Sequence, residues 1–123
     1  MGGNLPADAA APPILRLKRR REFLRAAQKG KRAARPGLVL QAVANGADSL
    51  RVGFTVTKKV GNSVTRNRAK RRLREAARLS LPAKHIAGFD LVLIGRDGTL
   101  TRPFDKLIAD LSGALRQLGV PAP

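Results

Sequence analysis

At 123 residues the chain is long enough for one domain, because single domains commonly span roughly 100–150 residues. Its 25 Lys and Arg outnumber its 8 Asp and Glu, and a charge of +17 weakens a compact state unless a polyanion neutralises it, so nucleic acid is the favoured partner. The absence of Cys and the single His exclude disulfides, a thiol nucleophile and most Cys or His metal sites.

The apolar runs and the ends of the chain predict a cytoplasmic protein without a membrane span. The longest apolar run, Leu91–Ile94, is far shorter than the roughly 20 residues of a membrane-spanning helix. Residues 1–13 lack a secretory signal pattern and predict a disordered tail, followed by a domain over 14–119 and a short tail over 120–123. The Arg-rich stretch Arg16–Arg35 could instead belong to an organellar transit peptide. This alternative is disfavoured because the tail before that stretch contains Asp8 and no basic residue.

The first half of the chain predicts one helix and two strands. Helix-favouring residues extend over Arg19–Lys29, and Gly30 can end that helix. Leu38–Val43 and Arg51–Thr57 have the apolar, β-branched pattern of strands. The turn-forming residues of Asn45–Ser49 predict that these two strands pair as a hairpin.

The second half predicts a helix, a strand and a helix. Ser63–Ser80 has a narrow apolar stripe at helical spacing, and Pro82 prevents its continuation. Phe89–Gly95 predicts a strand covered on both faces, and Asp97–Gly98 predicts a turn after it. Phe104–Leu118 has the clearest helical periodicity. The predicted order is α-β-β-α-β-α, a single-domain α+β sandwich of one sheet against helices.

Most of the positive charge falls in two segments. Ten of the 25 basic residues lie in Arg16–Arg35 and nine in Lys58–Arg78, and each segment contains one acid, Glu22 or Glu75. For a single run of basic residues, the simpler explanation is a helix face that is charged because it is exposed to solvent. Nearly unopposed like charges three and four residues apart destabilise an isolated helix, however, so two such runs favour a bound polyanion.

The start of the predicted helix Ser63–Ser80 fits a phosphate. Arg66 and Arg68 oppose the helix dipole, which favours acids near the N-terminus. Backbone N–H groups around Gly61–Ser63 and the guanidinium groups could converge on one anion. On a helical wheel the basic side chains form one continuous wall beside the apolar stripe: Arg66, Lys70, Arg71, Arg74 and Arg78.

Aromatic stacking surface is scarce, because the chain has four Phe and no Trp or Tyr. Phe89 and Phe104 are expected in the core, and Phe54 belongs to the apolar face of its strand. Phe23 lies inside a basic segment, and the sequence leaves open whether it packs on the sheet or lines a groove against a nucleobase.

No protein-borne active site is predicted. General acid-base chemistry needs titratable groups close together, but the eight acids are scattered and His85 stands alone. The sequence also lacks a Gly-rich phosphate loop of the nucleotide-binding type. We therefore predict no catalytic residue and no metal ligand in this chain.

One segment, Arg51–Glu75, closely resembles the signature of the bacterial ribonuclease P protein subunit. The resemblance extends over about 14–118 and includes Arg16–Lys18, Phe23 and Asp90–Arg96. Its most specific part is the spacing of Lys58-Lys59, Gly61-Asn62 and Arg66-Asn67-Arg68.

This resemblance implies a left-handed βαβ crossover and a protein that assists a catalytic RNA. The RNA subunit uses Mg²⁺, which it binds mainly itself, to remove the 5′ leader from precursor tRNA. The implied partners are the RNA subunit and precursor tRNA, with no membrane and no protein partner required.

The resemblance also implies two sets of site residues. Residues facing the RNA subunit would be Lys58, Lys59, Gly61, Asn62, Arg66, Asn67, Arg68, Lys70, Arg71 and Arg74. Residues contacting the leader, in a cleft between the first helix and the sheet, would be Arg16, Lys18, Phe23, Ala27 and Gln41. The family often has aromatics where this chain has Ala27 and Gln41, so the expectation is that backbone and hydrogen-bond contacts replace stacking here.

Two other classes of protein compete with this hypothesis. A ribosomal protein would be equally small and basic, but it does not predict the spacing of the motif. A self-sufficient nuclease would need clustered carboxylates or histidines, which the sequence lacks.

Overall fold

The computed structural model describes residues 14–120, so the predicted tail 1–13 and residues 121–123 lie outside the described residues. The elements in chain order are β1 Ile14–Arg16, α1 Arg20–Lys29, β2 Lys31–Ala34, β3 Leu38–Ala44, β4 Leu50–Val56, α2 Ser63–Ser80, β5 Phe89–Gly95, α3 Asp97–Thr101 and α4 Phe104–Gln117. The α+β class and every predicted helix and strand are confirmed. β1, β2 and α3 are additional, and α3 begins at the predicted turn.

The five strands form one mixed sheet in the order β1-β4-β5-β3-β2. β4 is parallel to both β1 and β5, whereas β3 is antiparallel to both β5 and β2. β5 is central because its side chains are apolar on both faces, and Leu91, Val92 and Leu93 are all buried.

The predicted hairpin between β3 and β4 is wrong, because β5 lies between these strands. The connecting loop crosses the start of β5. Its Asn45 N–H donates to the Gly88 carbonyl at 2.9 Å, and the Gly88 N–H donates to the Ser49 carbonyl at 2.9 Å. The hairpin that does form joins β2 to β3, and the Arg35 N–H donates to the Leu38 carbonyl across its turn at 2.8 Å.

The connection from β4 through α2 to β5 is a left-handed crossover. The Val52 side chain belongs to the core under α2, and the Val52 carbonyl accepts the Leu17 N–H at 3.0 Å on the β1 side. When β4 runs upward with this side chain toward the viewer, the chirality of an L-residue places its carbonyl on the right. β1 therefore lies on the right and β5 on the left. Because α2 lies in front of the sheet in this view, the chain passes from β4 over the front and to the left to reach β5, which is a left-handed connection and the rare hand for a βαβ unit.

Helices cover both faces of the sheet. α2 and α4 enclose the main core on one face, and α2 buries the predicted apolar stripe of Ala69, Leu73, Ala76 and Ala77. α1 lies on the other face, where Ala26 packs with Leu17, Val43 and Val92. The main core extends to Val120, which is 5% exposed and donates its N–H to the Leu115 carbonyl at 3.0 Å, so packing continues one residue past the predicted domain.

Candidate nucleic-acid interface

A tight turn sets the start of α2. Lys58–Val60 forms a 3-10 turn, and Gly61 follows with φ +153°. A Cβ at Gly61 would lie 2.9 Å from Thr65 Cγ2, so both the backbone conformation and the close approach favour glycine. The Asn62 side-chain carbonyl accepts the Thr65 N–H at 2.9 Å and caps the helix. This cap fixes the direction in which α2 leaves the sheet.

Cationic side chains without a partner in the fold cover the exposed side of this turn and of α2. We call this set the α2 cationic surface. Within residues 14–120, six of its members form no side-chain hydrogen bond or ion pair, and Arg66 makes one long contact of 3.3 Å with the Ser63 hydroxyl. The exposed amide of Asn67 lies among them. The surface comprises Lys58, Lys59, Arg66, Arg68, Lys70, Arg71 and Arg74.

Two arginines of α2 have structural roles instead. Arg72 donates to the Leu100 carbonyl at 3.2 Å and the Arg102 carbonyl at 2.6 Å, and its guanidinium carbon lies 5.7 Å from the Phe104 ring centroid. Arg78 donates to both carboxylate oxygens of Glu75 at 2.9 and 2.6 Å. This hydrogen-bonded pairing lowers the pKa of Glu75. The unpaired cations of the α2 cationic surface are therefore the ones available to an external anion.

The electrostatics of the first turn of α2 favour an anion. That turn contains no acid, whereas the helix N-terminus carries partial positive charge from its unpaired N–H groups. An external phosphate would interact favourably with both the cations and the helix dipole.

An open groove of about 470 Å³ lies on the opposite face of the sheet, between α1 and the strands. We call it the α1 groove. Phe23 and Ala27 of α1 lie one turn apart in one wall, and Gln41 of β3 lies in the floor. The complete lining is Lys18, Arg20, Phe23, Leu24, Ala27, Gln41, Phe54, Thr55, Val92 and Ile94.

The structure brings together four of the five residues predicted to contact the leader. Lys18, Phe23, Ala27 and Gln41 all line the α1 groove. Arg16 does not line it and lies in a separate cleft beside α2.

Sequence reasoning missed further lining residues of the α1 groove. Arg20 and Leu24 are one turn from positions that were identified on α1, so helical spacing could have found them. Ile94 and Thr55 come from strands whose order the sequence did not predict. Their place in the groove therefore had no sequence signal.

The packing of Phe23 combines the two alternatives left open by the sequence. Its ring is half-buried beside the cluster of Leu17, Ala26 and Val92, and it also lines the α1 groove. The other phenylalanines, expected in the core, are likewise half-buried against the main core: Phe54, Phe89 and Phe104.

An ion-pair network holds α1 in place on the sheet. Glu22 accepts the N–H groups of Lys18 at 3.1 Å and Arg19 at 2.9 Å, and its second oxygen accepts from Arg51 at 2.8 Å. The hydrogen bonds from Arg19 and Lys18 are the main reason that the pKa of Glu22 is lowered. Arg51 also contacts Asp90 of β5 through two hydrogen bonds of 2.7 Å. The α1 wall of the groove is thus fixed to β4 and β5.

The described part of the chain offers neither a metal cluster nor a membrane span. Residues 14–120 contain no group of three or more His, Asp or Glu placed to hold a metal ion. None of the helices in this range is both long and apolar enough to cross a bilayer.

The fold and the two surfaces define a small basic α+β protein with cations concentrated on one helix and an open groove behind it. The family model described as Ribonuclease P matches residues 12–119. The ribonuclease P protein component of Gluconacetobacter diazotrophicus is 56% identical over 106 residues, which cover 85% of this chain and 91% of that protein. That of Paramagnetospirillum magneticum is 58% identical over 109 residues, covering 85% and 82%. The chain therefore belongs to the ribonuclease P family, as a protein component of ribonuclease P.

Solved structures agree with this assignment. The Staphylococcus aureus RNase P protein superposes with a TM-score of 0.71 at 29% identity, covering 85% of this chain and 95% of that chain. The Thermotoga maritima RNase P protein superposes with a TM-score of 0.69 at 33% identity, covering 84% and 94%. These bacterial proteins share the fold over nearly their whole length.

Proposed function

We propose that the chain binds the catalytic RNA subunit of ribonuclease P and the 5′ leader of precursor tRNA, and so assists Mg²⁺-dependent removal of the leader. The observation that carries this proposal is the separation of two surfaces on opposite faces of one sheet. The α2 cationic surface offers cations without partners in the described fold, and the α1 groove offers an open channel. One small protein could thus hold two RNA segments at once.

The α2 cationic surface is proposed to bind the RNA subunit. Guanidinium groups form paired hydrogen bonds with phosphate oxygens, and each neutralised phosphate releases counterions. Arg66, Asn67 and Arg68 lie beside the start of α2, where N–H groups add to the attraction. Gly61 and Asn62 would act by shaping the turn that presents these side chains.

The α1 groove is proposed to bind the single-stranded leader. Lys18 and Arg20 at its end suit phosphates, and the half-buried Phe23 ring suits the face of a base. Gln41 supplies an amide that can hydrogen-bond a base edge or the sugar.

The chemistry of cleavage is proposed to reside in the RNA. Mg²⁺ held mainly by the RNA subunit would supply the activated water and stabilise the leaving oxygen. The protein would lower repulsion between the RNA subunit and the substrate, and so reduce the Mg²⁺ concentration that cleavage requires. We propose that it does so in the cytoplasm and needs no protein partner.

Reconstitution with purified components tests the proposal. Precursor tRNA is incubated with the RNA subunit alone, the protein alone, or both, across a Mg²⁺ titration. We expect no cleavage by the protein alone and a lower Mg²⁺ requirement for the pair than for the RNA alone. Replacing Lys106 on α4 with Ala removes one exposed charge that belongs to neither surface and serves as the matched control. Cleavage by the protein alone, or an unchanged Mg²⁺ requirement, would contradict the proposal.

A further inference from the structure

A second cleft, of about 380 Å³, lies between β1 and the C-terminal half of α2. We call it the β1 cleft. Its floor is apolar, because Val52, Ala77 and Leu81 are buried there. Ile14 is 43% exposed at its edge. Such an apolar recess is unusual on a surface that is otherwise strongly cationic.

Three arginines line this cleft: Arg16 from β1, and Arg74 and Arg78 from α2. The Arg74 guanidinium carbon lies 6.0 Å from the ring centroid of Phe54, which forms part of the wall. Arg16 is exposed and forms no side-chain hydrogen bond or ion pair within residues 14–120. The cleft therefore combines an apolar floor with an unpartnered cation.

The register of β1 separates Arg16 from the α1 groove. Arg16 pairs with Val52 of β4, and Val52 pairs with Leu91 of β5. Neighbouring residues of parallel strands point to the same face, and both Val52 and Leu91 belong to the core under α2. Arg16 consequently lies on the α2 side of the sheet, whereas Gln41 and Val92 of the groove lie on the α1 side.

We propose that the β1 cleft binds one unpaired nucleotide of the RNA subunit, and that Arg16 contacts this RNA rather than the leader. The base would lie against the Phe54 ring and the apolar floor, and the flanking phosphates would contact Arg16 and Arg74. This inference rests on the proposed function, because it extends RNA-subunit binding from the α2 cationic surface into the cleft.

The chemistry of the cleft favours this occupant. An apolar floor with a phenyl ring suits the flat face of a base, and guanidinium groups suit phosphates on either side of it. A base inside a duplex is already stacked and paired, so the occupant must be unpaired. Arg74 belongs to the α2 cationic surface, so an RNA bound there reaches the cleft without a break.

Affinity measurements separate the two roles of Arg16. Binding of the full chain to the RNA subunit is measured for Arg16→Ala, Lys18→Ala and Lys106→Ala, followed by the ratio of precursor to mature tRNA affinity in each holoenzyme. We expect Arg16→Ala to lose about 10-fold or more in RNA-subunit affinity, as for a charged hydrogen bond, with an unchanged ratio. Lys18→Ala should lower the ratio, and Lys106→Ala should change neither quantity. The proposal is overturned if Arg16→Ala lowers the ratio of precursor to mature tRNA affinity without loss of RNA-subunit affinity. It is also overturned if Arg16→Ala changes neither quantity.

A crosslink identifies the occupant directly. The chain has no Cys, so Ile14→Cys creates a unique attachment point at the edge of the cleft for a photoreactive group. In the complex with the RNA subunit we expect a crosslink to one unpaired nucleotide, whose base the unlabelled wild-type protein protects from chemical modification. A crosslink to residues 1–13 of the same chain, to a paired nucleotide or to precursor tRNA overturns the proposal.

The same experiments keep this inference separate from the proposed function. If the wild-type protein binds the RNA subunit and lowers its Mg²⁺ requirement while the cleft gives none of the expected results, the inference alone fails. If the wild-type protein does not bind the RNA subunit, the proposed function fails as well. Thermal melting of Arg16→Ala, expected to match the wild type, confirms that the variant is folded.

Discussion

The ring of Phe23 lies directly over the α-carbon of Gly53, so closely that a Cβ atom at position 53 would be 2.7 Å from both Cε1 and Cζ. Real Cβ atoms do not approach a ring this closely. The absence of a side chain at Gly53 therefore lets α1 seat Phe23 on the sheet while the ring still borders the α1 groove.

Gly53→Ala is expected to push the Phe23 ring away from the sheet and narrow the α1 groove. The strain should lower the free energy of unfolding by about 1–3 kcal/mol, the usual cost of overpacking. Affinity of the holoenzyme for precursor tRNA should fall, whereas affinity for mature tRNA, which has no leader, should not. Chemical denaturation and the two affinities measure these effects. An unchanged preference for precursor tRNA would contradict the assignment of the groove to the leader.

Phe23→Ala removes the ring itself. Since Phe23 is half-buried, the loss of stability should be below the roughly 3–5 kcal/mol of a fully buried phenylalanine. Loss of stacking on one leader base should weaken precursor binding by about 1–3 kcal/mol, toward the low end because Ala27 and Gln41 provide no further rings. Equal losses for precursor and mature tRNA would show that the ring acts through the fold alone.

Arg68→Ala and Arg72→Ala each remove one positive charge from α2. The first should weaken RNA binding, and the second should lower the stability of the fold. Arg68 has no partner in residues 14–120, so its loss should weaken RNA-subunit binding by about 1.5–3 kcal/mol while the melting temperature stays level or rises slightly. Arg72 donates to two backbone carbonyls, so its loss should lower the melting temperature by roughly 5–15 °C. RNA affinity of folded Arg72→Ala should stay near that of the wild type. The reverse pattern would exclude RNA binding by the exposed face of α2.

Glu22→Gln should destabilise the fold in a pH-dependent way. The pKa of Glu22 is lowered in the folded state, chiefly by the N–H groups of Arg19 and Lys18, so its stabilisation is complete above about pH 4.5 and is lost as the pH falls through the folded value. At pH 7 the variant should be less stable by about 1.5–3 kcal/mol, the value of hydrogen bonds to a charged group.

Urea denaturation of wild type and Glu22→Gln between pH 7 and pH 3 measures the effect. The difference between the two proteins isolates Glu22 from the other carboxylates, and it should shrink as the pH falls below 4.5. A constant difference across this range would show that the charge of Glu22 does not contribute.

The sequence was sufficient for elements whose signal is local. α2 and α4 follow from apolar spacing, and β5 follows from its continuous apolar run. β1 and β2 were missed because strands of three and four residues that contain basic side chains show little alternation. The pairing of β4 with β5 rather than with β3 depends on contacts between distant segments, which turn residues do not encode.

In the candidate site, too, some residues could be predicted from the sequence, whereas others depend on contacts between distant segments. Phe23, Ala27 and Gln41 were placed in one groove through the family resemblance, and the structure brings them together. Arg16 lies two residues before Lys18, and in a continuous strand the two side chains would share a face. β1 ends at Arg16, however, so Lys18 lies beyond the strand and lines the α1 groove while Arg16 lines the β1 cleft. The structural role of Arg72 depends on the carbonyl groups of Leu100 and Arg102, about 30 positions further along the chain, and no local pattern marks it.

The central place of β5 has a consequence for synthesis of the protein. β5 pairs with β4 on one side and with β3 on the other, so it joins two halves of the sheet that share no other ladder. On a ribosome, residues 14–88 emerge first and leave the edges of β3 and β4 unpaired until Phe89–Gly95 appears. Because such edges are templates for wrong pairing, the nascent chain is most exposed to aggregation in this interval. Its dense positive charge would then oppose association between neighbouring nascent chains, before any RNA partner is bound.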